Sequence, residues 1–184
     1  MQNAGAVFSS GYSLAEDRLT EFTISVFEQA SKMGIQRFFD PGPAFSQVDP
    51  QQRDRILALS EILLLTDEEV PVAVGDDFSE LFQKGPSVVV VKRGPHGCAV
   101  YTRDGSVSQY SGLPVGVRDT TAAGDSFDAG FVAGMIRGWS LDKCAMLANA
   151  VGAAKVQKLG GGRNVPTIDD VRAVADEFSL DLEL

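Results

Sequence analysis

Short apolar blocks alternate with stretches of helical period along most of this chain. Ala6 to Phe8, broken by Ser9-Ser10-Gly11, fits the end of a buried strand opening into a loop. Ser13 is placed to cap a helix with Glu16 and Asp17 in its first turn. Leu14, Leu19, Phe22, Ile24, Val26, Phe27, Ala30 and Met33 give that helix a broad apolar face, and Gly34 stops it. Ile35 to Phe39 reads as a strand ending at Asp40, where Pro41-Gly42-Pro43 forces what reads as only a turn. Arg53 to Ser60 predicts a short helix, Ile62 to Leu65 a strand buried on both faces, Phe78 to Gln83 a further helical turn or two, and Val88 to Val91 another strand. Cys98 to Thr102 and Val107 to Tyr110 flank Asp104-Gly105, a hairpin signal that predicts antiparallel pairing at one sheet edge. Helices follow over Gly124 to Arg137, from Leu141 to about Gln157, and from Thr167, whose hydroxyl caps a first turn bearing Asp169 and Asp170.

Strands alternating with helices, then a helical last third, predict an α/β fold with a mainly parallel sheet and helices on both faces. Ligands of such sheets collect where strand ends lead into helices, and segments 92–97 and 119–125 are glycine-bearing loops of that kind. At 184 residues the chain fits one domain, residues 1–184, and 44% hydrophobic residues suffice for a core. A formal charge of -9 argues against a nucleic-acid partner, because phosphate backbones are bound by clustered Lys and Arg. Cys98 and Cys144 have no metal-ligand spacing and read as small buried thiols. No apolar run approaches the ~20 residues that span a bilayer, and no signal-peptide pattern opens the chain, so no membrane association is expected and a soluble cytoplasmic protein is.

The chemistry concentrates in Asp119-Thr120-Thr121-Ala122-Ala123-Gly124-Asp125. A phosphate cradle needs backbone N–H groups converging on one point and side chains small enough to let oxygens approach, and Ala122, Ala123 and Gly124 supply that smallness as an anion hole at a helix N-terminus. Asp125, in the same turn, is a candidate base for an alcohol. An ordinary carboxylate is too weak a base for a ground-state hydroxyl, but phosphoryl transfer has a loose transition state in which the attacking hydroxyl becomes acidic late. The plain alternative is that Asp125 only complements the helix dipole, worth roughly 0.3–1 kcal/mol. A Walker-type loop is excluded because no Gly-Lys pair exists, and the dinucleotide fingerprint is missing. His96, the single histidine, lies in a Pro-Gly turn and reads as an exposed loop residue; Trp139 reads as packing.

Asp119 through Val132, with Ala148-Asn149-Ala150 and Gly160-Gly161 downstream, resembles the C-terminal signature of the PfkB family of carbohydrate kinases, the ribokinase-like sugar and nucleoside kinases. The resemblance implies a three-layer α/β/α, Rossmann-like fold and ATP-dependent phosphorylation of a hydroxyl on a sugar or nucleoside-like small molecule. It implies that Ala122, Ala123 and Gly124 form the anion hole and that Asp125 is the catalytic base at the substrate hydroxyl. Lys92, Arg93, Gly94, Pro95, His96 and Gly97 look like the family's nucleotide loop, Asn149 matches a position beside the nucleotide, and Thr66 and Gly124 complete the implied ATP contacts. A monovalent cation, K+, is implied at Asp119, Thr121, Lys155, Lys158, Gly160 and Asn164.

Two departures qualify the resemblance. Near Thr66-Asp67-Glu68-Glu69 the family carries Asn followed three residues later by Glu, a pair that organises Mg2+; here Thr66 takes the Asn position if Glu69 is the Glu. The family's N-terminal sugar-binding motif, first strands and β lid are not found, so the chain is expected to be the ATP-binding, catalytic C-terminal portion of a kinase. Its expected protein partner is a missing N-terminal half or a second copy. The alternative function is a non-catalytic nucleotide-binding remnant or regulatory domain.

Overall fold

Valine and leucine blocks at Leu63 to Leu65 and Val89 to Val90 are withdrawn entirely from solvent, which places them in the middle of a sheet covered on both faces. The computed structural model describes residues 4–73, 75 and 77–184. Its six strands are β1 (Ala6–Ser10), β2 (Gln36–Asp40), β3 (Ile62–Thr66), β4 (Val88–Lys92), β5 (Cys98–Thr102) and β6 (Val107–Tyr110), in the sheet order β1-β2-β3-β4-β5-β6. The first four are parallel, with Ser10 beside Asp40 and Thr66 beside Lys92 at their carboxyl ends. Parallel neighbours need a crossover, and α1 (Asp17–Lys32), α2 (Pro50–Leu59) and α4 (Phe78–Lys84) supply them, with a single turn α3 (Val70–Ala73) between β3 and α4. The links before β5 and β6, residues 93–97 and 103–106, are too short for crossovers, so these strands run antiparallel, as the Asp-Gly signal predicts. Helices α5 (Ala123–Ile136), α6 (Leu141–Val156) and α7 (Ile168–Glu177) complete the chain.

The chain forms two compact units. One runs to Lys92 and includes Val100–Val107; its core is built from Ile24, Phe27, Phe39, Phe45, Ile56, Leu63, Leu65 and Val89, with the Phe39 ring edge-on to both Phe27 and Phe45. The other comprises Arg93–Ala99 and Ser108–Leu184, and its core lies along α6 and α7, with Leu147, Ala150, Ala154, Val171 and Val174 buried. The Thr167 cap expected for α7 is present, and Asp170 makes it reciprocal: Thr167 accepts from the Asp170 amide, and the Asp170 carboxylate accepts from the Thr167 amide.

Three local expectations are corrected. The helix after β1 begins at Asp17, not after Ser13, because the Ser13 hydroxyl donates backward to the Ser10 carbonyl at 2.8 Å and pairs with Ser9 at 2.7 Å. With that oxygen turned to the preceding chain, residues Gly11–Leu14 close a 3-10 turn first. The strand at Ala6 continues through Ser10 and is not buried: it is an edge strand among the described residues, and Phe8 is 44% exposed. Elsewhere α2 starts at Pro50 rather than Arg53, since Asp49 accepts from the Gln51 and Gln52 amides and caps it.

Candidate active site

In the second unit, the turn Asp119–Ala122 leads into α5. Ala122 stands just before the helix at φ 60, ψ 20, a left-handed conformation that costs a non-glycine residue roughly 1–2 kcal/mol. The Ala123 amide donates to the Thr120 carbonyl at 3.0 Å, which closes the turn and leaves that amide no hydrogen for an anion. Gly124 and Asp125 follow, both exposed, in the first helical turn, where amides point out along the helix axis. The Asp125 carboxylate therefore stands beside the positive end of α5.

The turn is braced from behind by α6. Val156, at the end of α6, accepts both the Arg118 amide at 2.7 Å and the Asp119 amide at 3.1 Å. The Asp119 carboxylate accepts from the Thr121 amide at 2.9 Å, the Thr121 hydroxyl at 2.8 Å and the Gly160 amide at 2.6 Å. These donors, the Thr121 amide first and the Gly160 amide second, hold its pKa down to about 2. Gly161 lies against Ala122 and Thr121. Asp119, Thr121 and Gly160 are thus brought together as expected. Asn164 is tied to the same loop, its amide donating to the Leu159 carbonyl at 3.0 Å.

The ammonium groups of Lys155, in the last turn of α6, and of Lys158, in the loop, cannot themselves ligate a potassium ion. Such an ion is ligated by oxygens, and the Lys155 ammonium, on a fully buried side chain, already lies 3.2 Å from one of them, the Lys158 carbonyl. Lys158 turns its own ammonium to Asp170 in an ion pair that lowers the Asp170 pKa to about 2.

The segment Arg93 to Gly97 folds on itself: Arg93 donates to Gly97 at 2.8 Å, and Gly94–His96 form a 3-10 turn. Gly97 is required by its surroundings, since at φ 86 an added Cβ would overlap the Tyr110 carbonyl and the Gly112 amide. That glycine answers to the packing of this loop on the end of β6, whatever else the loop binds. Asn149 reaches the same place, donating to the Ser111 carbonyl at 3.3 Å. It also lies against Cys98, whose thiol burial pushes up to about 12, against the opposing pull of Arg93 and Asn149. Both cysteines are buried and free. The structure therefore joins Asn149 to the 93–97 loop, while Pro95 and His96 remain exposed.

In the first unit, Thr66 and Glu69 close a reciprocal turn: the Thr66 amide donates to Glu69 Oε2 at 2.8 Å and the Glu69 amide to the Thr66 carbonyl at 3.1 Å. One carboxylate oxygen of Glu69 is thereby committed to the backbone. Both residues line a cavity of about 280 Å3 with Pro41, Gly42, Phe45 and Glu68. Asp40 corrects the reading of its segment as only a turn: at the carboxyl end of β2 it accepts from the Gly42 amide at 2.9 Å and pairs with Lys92 at 2.9 Å. Lys92 is 8% exposed and its ammonium is held by that carboxylate. Sequence reasoning missed Asp40; the signal was a lone acid at a strand end facing a lysine at the end of a parallel strand. Among the described residues no group of three or more His, Cys, Asp and Glu side chains is placed to hold a metal unaided.

The family model for pfkB family carbohydrate kinases matches residues 1–168. An ATP-dependent ribose-1-phosphate kinase of Halopiger xanaduensis is 30% identical over 154 residues, 83% of this chain and 50% of its own length. A candidate ribokinase II from E. coli, solved with ATP and Mg2+, superposes with TM-score 0.86 at 22% identity, over 96% of this chain and 60% of its own. Arabidopsis thaliana ribokinase, complexed with ribose and ATP, superposes with TM-score 0.80 at 26% identity, over 94% of this chain and 56% of its own. The chain spans about half the length of the curated relatives it matches. The fold is the ribokinase-like α/β fold.

Proposed function

Because this chain belongs to the pfkB family of carbohydrate kinases, we propose that it carries the nucleotide-binding and phosphoryl-transfer machinery for a hydroxyl of a sugar or nucleoside-like small molecule. The observation that carries this reading is the α5 N-terminus, where a left-handed Ala122 starts the helix so that the Gly124 and Asp125 amides and the Asp125 carboxylate share one exposed turn. Amides at that place stabilise charge developing on transferred phosphoryl oxygens, and removing one such donor typically costs on the order of a hundredfold to a thousandfold in rate. The anion hole is then Ala122, Gly124 and Asp125, with Ala123 closing the turn that shapes it.

Asp125 accepts the proton of the acceptor hydroxyl as the bond to phosphorus forms. The 93–97 loop, Asn149 and Gly124 hold the nucleotide in the second unit; in the first, Glu69 is assigned to Mg2+. Mg2+ is commonly bound through one or two carboxylates with phosphate oxygens and water, so the free oxygen of Glu69 suits it. The bound metal would neutralise phosphate charge. Support for ATP and Mg2+ comes from the E. coli relative solved with both, and support for a ribose-type acceptor from the Halopiger kinase.

The test is Asp125→Asn in a chain of the relatives' full length. Phosphoryl transfer should fall at least a thousandfold while nucleotide affinity, by calorimetry, stays within a fewfold of the parent. Equal turnover in mutant and parent would remove Asp125 as the base.

A further inference from the structure

A lysine whose side chain is wholly buried is an expensive choice, since a desolvated ammonium costs several kcal/mol unless it is paired and hydrogen-bonded. Lys155 is in that position, in the last turn of α6. Its Nζ lies 3.2 Å from the Lys158 carbonyl, in the stretch that continues to Gly160. Gly160 in turn donates to Asp119 at 2.6 Å, and Asp119 orders Thr121 just ahead of the anion-binding turn. The charge of Lys155 is the least of the influences that lower the Asp119 carboxylate, and it also meets the negative end of α6. One fixed ammonium thus serves the helix end and the 158 carbonyl, and through the 158–160 stretch it steadies the amide that Asp119 accepts. A free monovalent cation on this stretch would compete with it for the 158 carbonyl.

We propose that the Lys155 ammonium is a built-in monovalent cation, a positioning residue that locks the Asp119–Gly160 brace behind the anion-binding turn and makes the chain independent of potassium. The assignment rests on the reading of the α5 N-terminus as a nucleotide phosphate site. A tethered charge loses no translational freedom on each binding event, so the brace is formed before nucleotide arrives. Removing the ammonium, with most of the stem kept or with it deleted, opens a site that a small free cation fills, and a bulky one does not.

The experiment compares the parent with Lys155→Met and Lys155→Ala in potassium chloride and in tetramethylammonium chloride at equal ionic strength, reading melting temperature without nucleotide and affinity for a non-hydrolysable ATP analogue with Mg2+. The parent should show less than a twofold difference in affinity and no difference in melting temperature between the two salts. Both variants should bind at least tenfold more weakly in tetramethylammonium, and potassium or ammonium ions should restore affinity to within threefold and raise the melting temperature. A parent that needs potassium for affinity or stability overturns the proposal, as do folded variants whose two readouts ignore the cation. Should neither variant fold, the salt comparison on the parent decides. Absence of nucleotide binding under every condition would sink the phosphate-site reading instead, and the melting temperatures would still report on Lys155.

Discussion

At Lys92 the ammonium lies 2.9 Å from Asp40, with the two side chains 8% and 13% exposed. Breaking such a pair from one side leaves a charge with little water to receive it, at a cost of about 3–5 kcal/mol. Lys92→Met should therefore lower unfolding free energy by about 3 kcal/mol in urea titrations, and Asp40→Asn added to it should recover part of the loss; an additive double mutant would show that the two do not couple. Asp119 behaves differently, because its partners are amides and a hydroxyl. Its folded pKa is depressed to about 2, so its contribution is fully present above the ordinary carboxylate value near 4 and is lost as pH falls toward 2. Asp119→Asn should flatten the fall of melting temperature over that window, and Asp170, lowered to about 2, contributes to the part that remains with Asp77 and Asp104, which are also lowered. An unchanged acid profile would mean that the Asp119 hydrogen bonds do not persist in solution.

Within the elements, the signature residues divide by cause. Ala129-Gly130 follows Asp125 closely enough to look like part of the chemistry, but Gly130 faces α6: an added Cβ would sit 3.0 Å from Ala148 Cα and Val151 Cγ2. Gly134, one turn on, would put a Cβ 2.8 Å from Cys144 Sγ. The two glycines let α5 and α6 approach closely, which fixes the α6 end that braces Asp119. Gly130→Ala should destabilise by about 1–3 kcal/mol through overpacking, with affinity for nucleotide reduced as the brace shifts; a melting temperature equal to the parent's would show that the helices can part at no cost. Buried strands and self-capped helices were legible because their signals are local: the valine block of β4, the Thr167 cap, the Asp104-Gly105 hairpin. Ser13 misled because its hydroxyl had a nearer partner in Ser10. Asp40, the committed amide of Ala123 and the ammonium of Lys155 were not legible, since each depends on contacts with residues distant along the chain or on which backbone hydrogens the turn consumes.

For the whole molecule, the decisive quantity is the share of a kinase that this chain supplies. It spans about half the length of the relatives it matches, and the residues assigned to nucleotide and base lie within that share. Phosphoryl transfer to a sugar needs the acceptor hydroxyl held in line with phosphorus and water kept out, effects together worth several kcal/mol of barrier. The anion-binding turn and Asp125, both exposed in this chain, supply neither by themselves. The 184-residue chain should therefore bind a Mg2+-nucleotide while phosphorylating ribose, fructose or adenosine no faster than the uncatalysed background, measured by ADP release with each acceptor. Addition of a polypeptide covering the remaining length of its relatives should raise acceptor-dependent turnover, and Asp125→Asn should abolish that gain. Turnover at ordinary kinase rates by the chain alone would mean that acceptor binding and water exclusion are built from the residues present, and the proposed division of labour would be wrong.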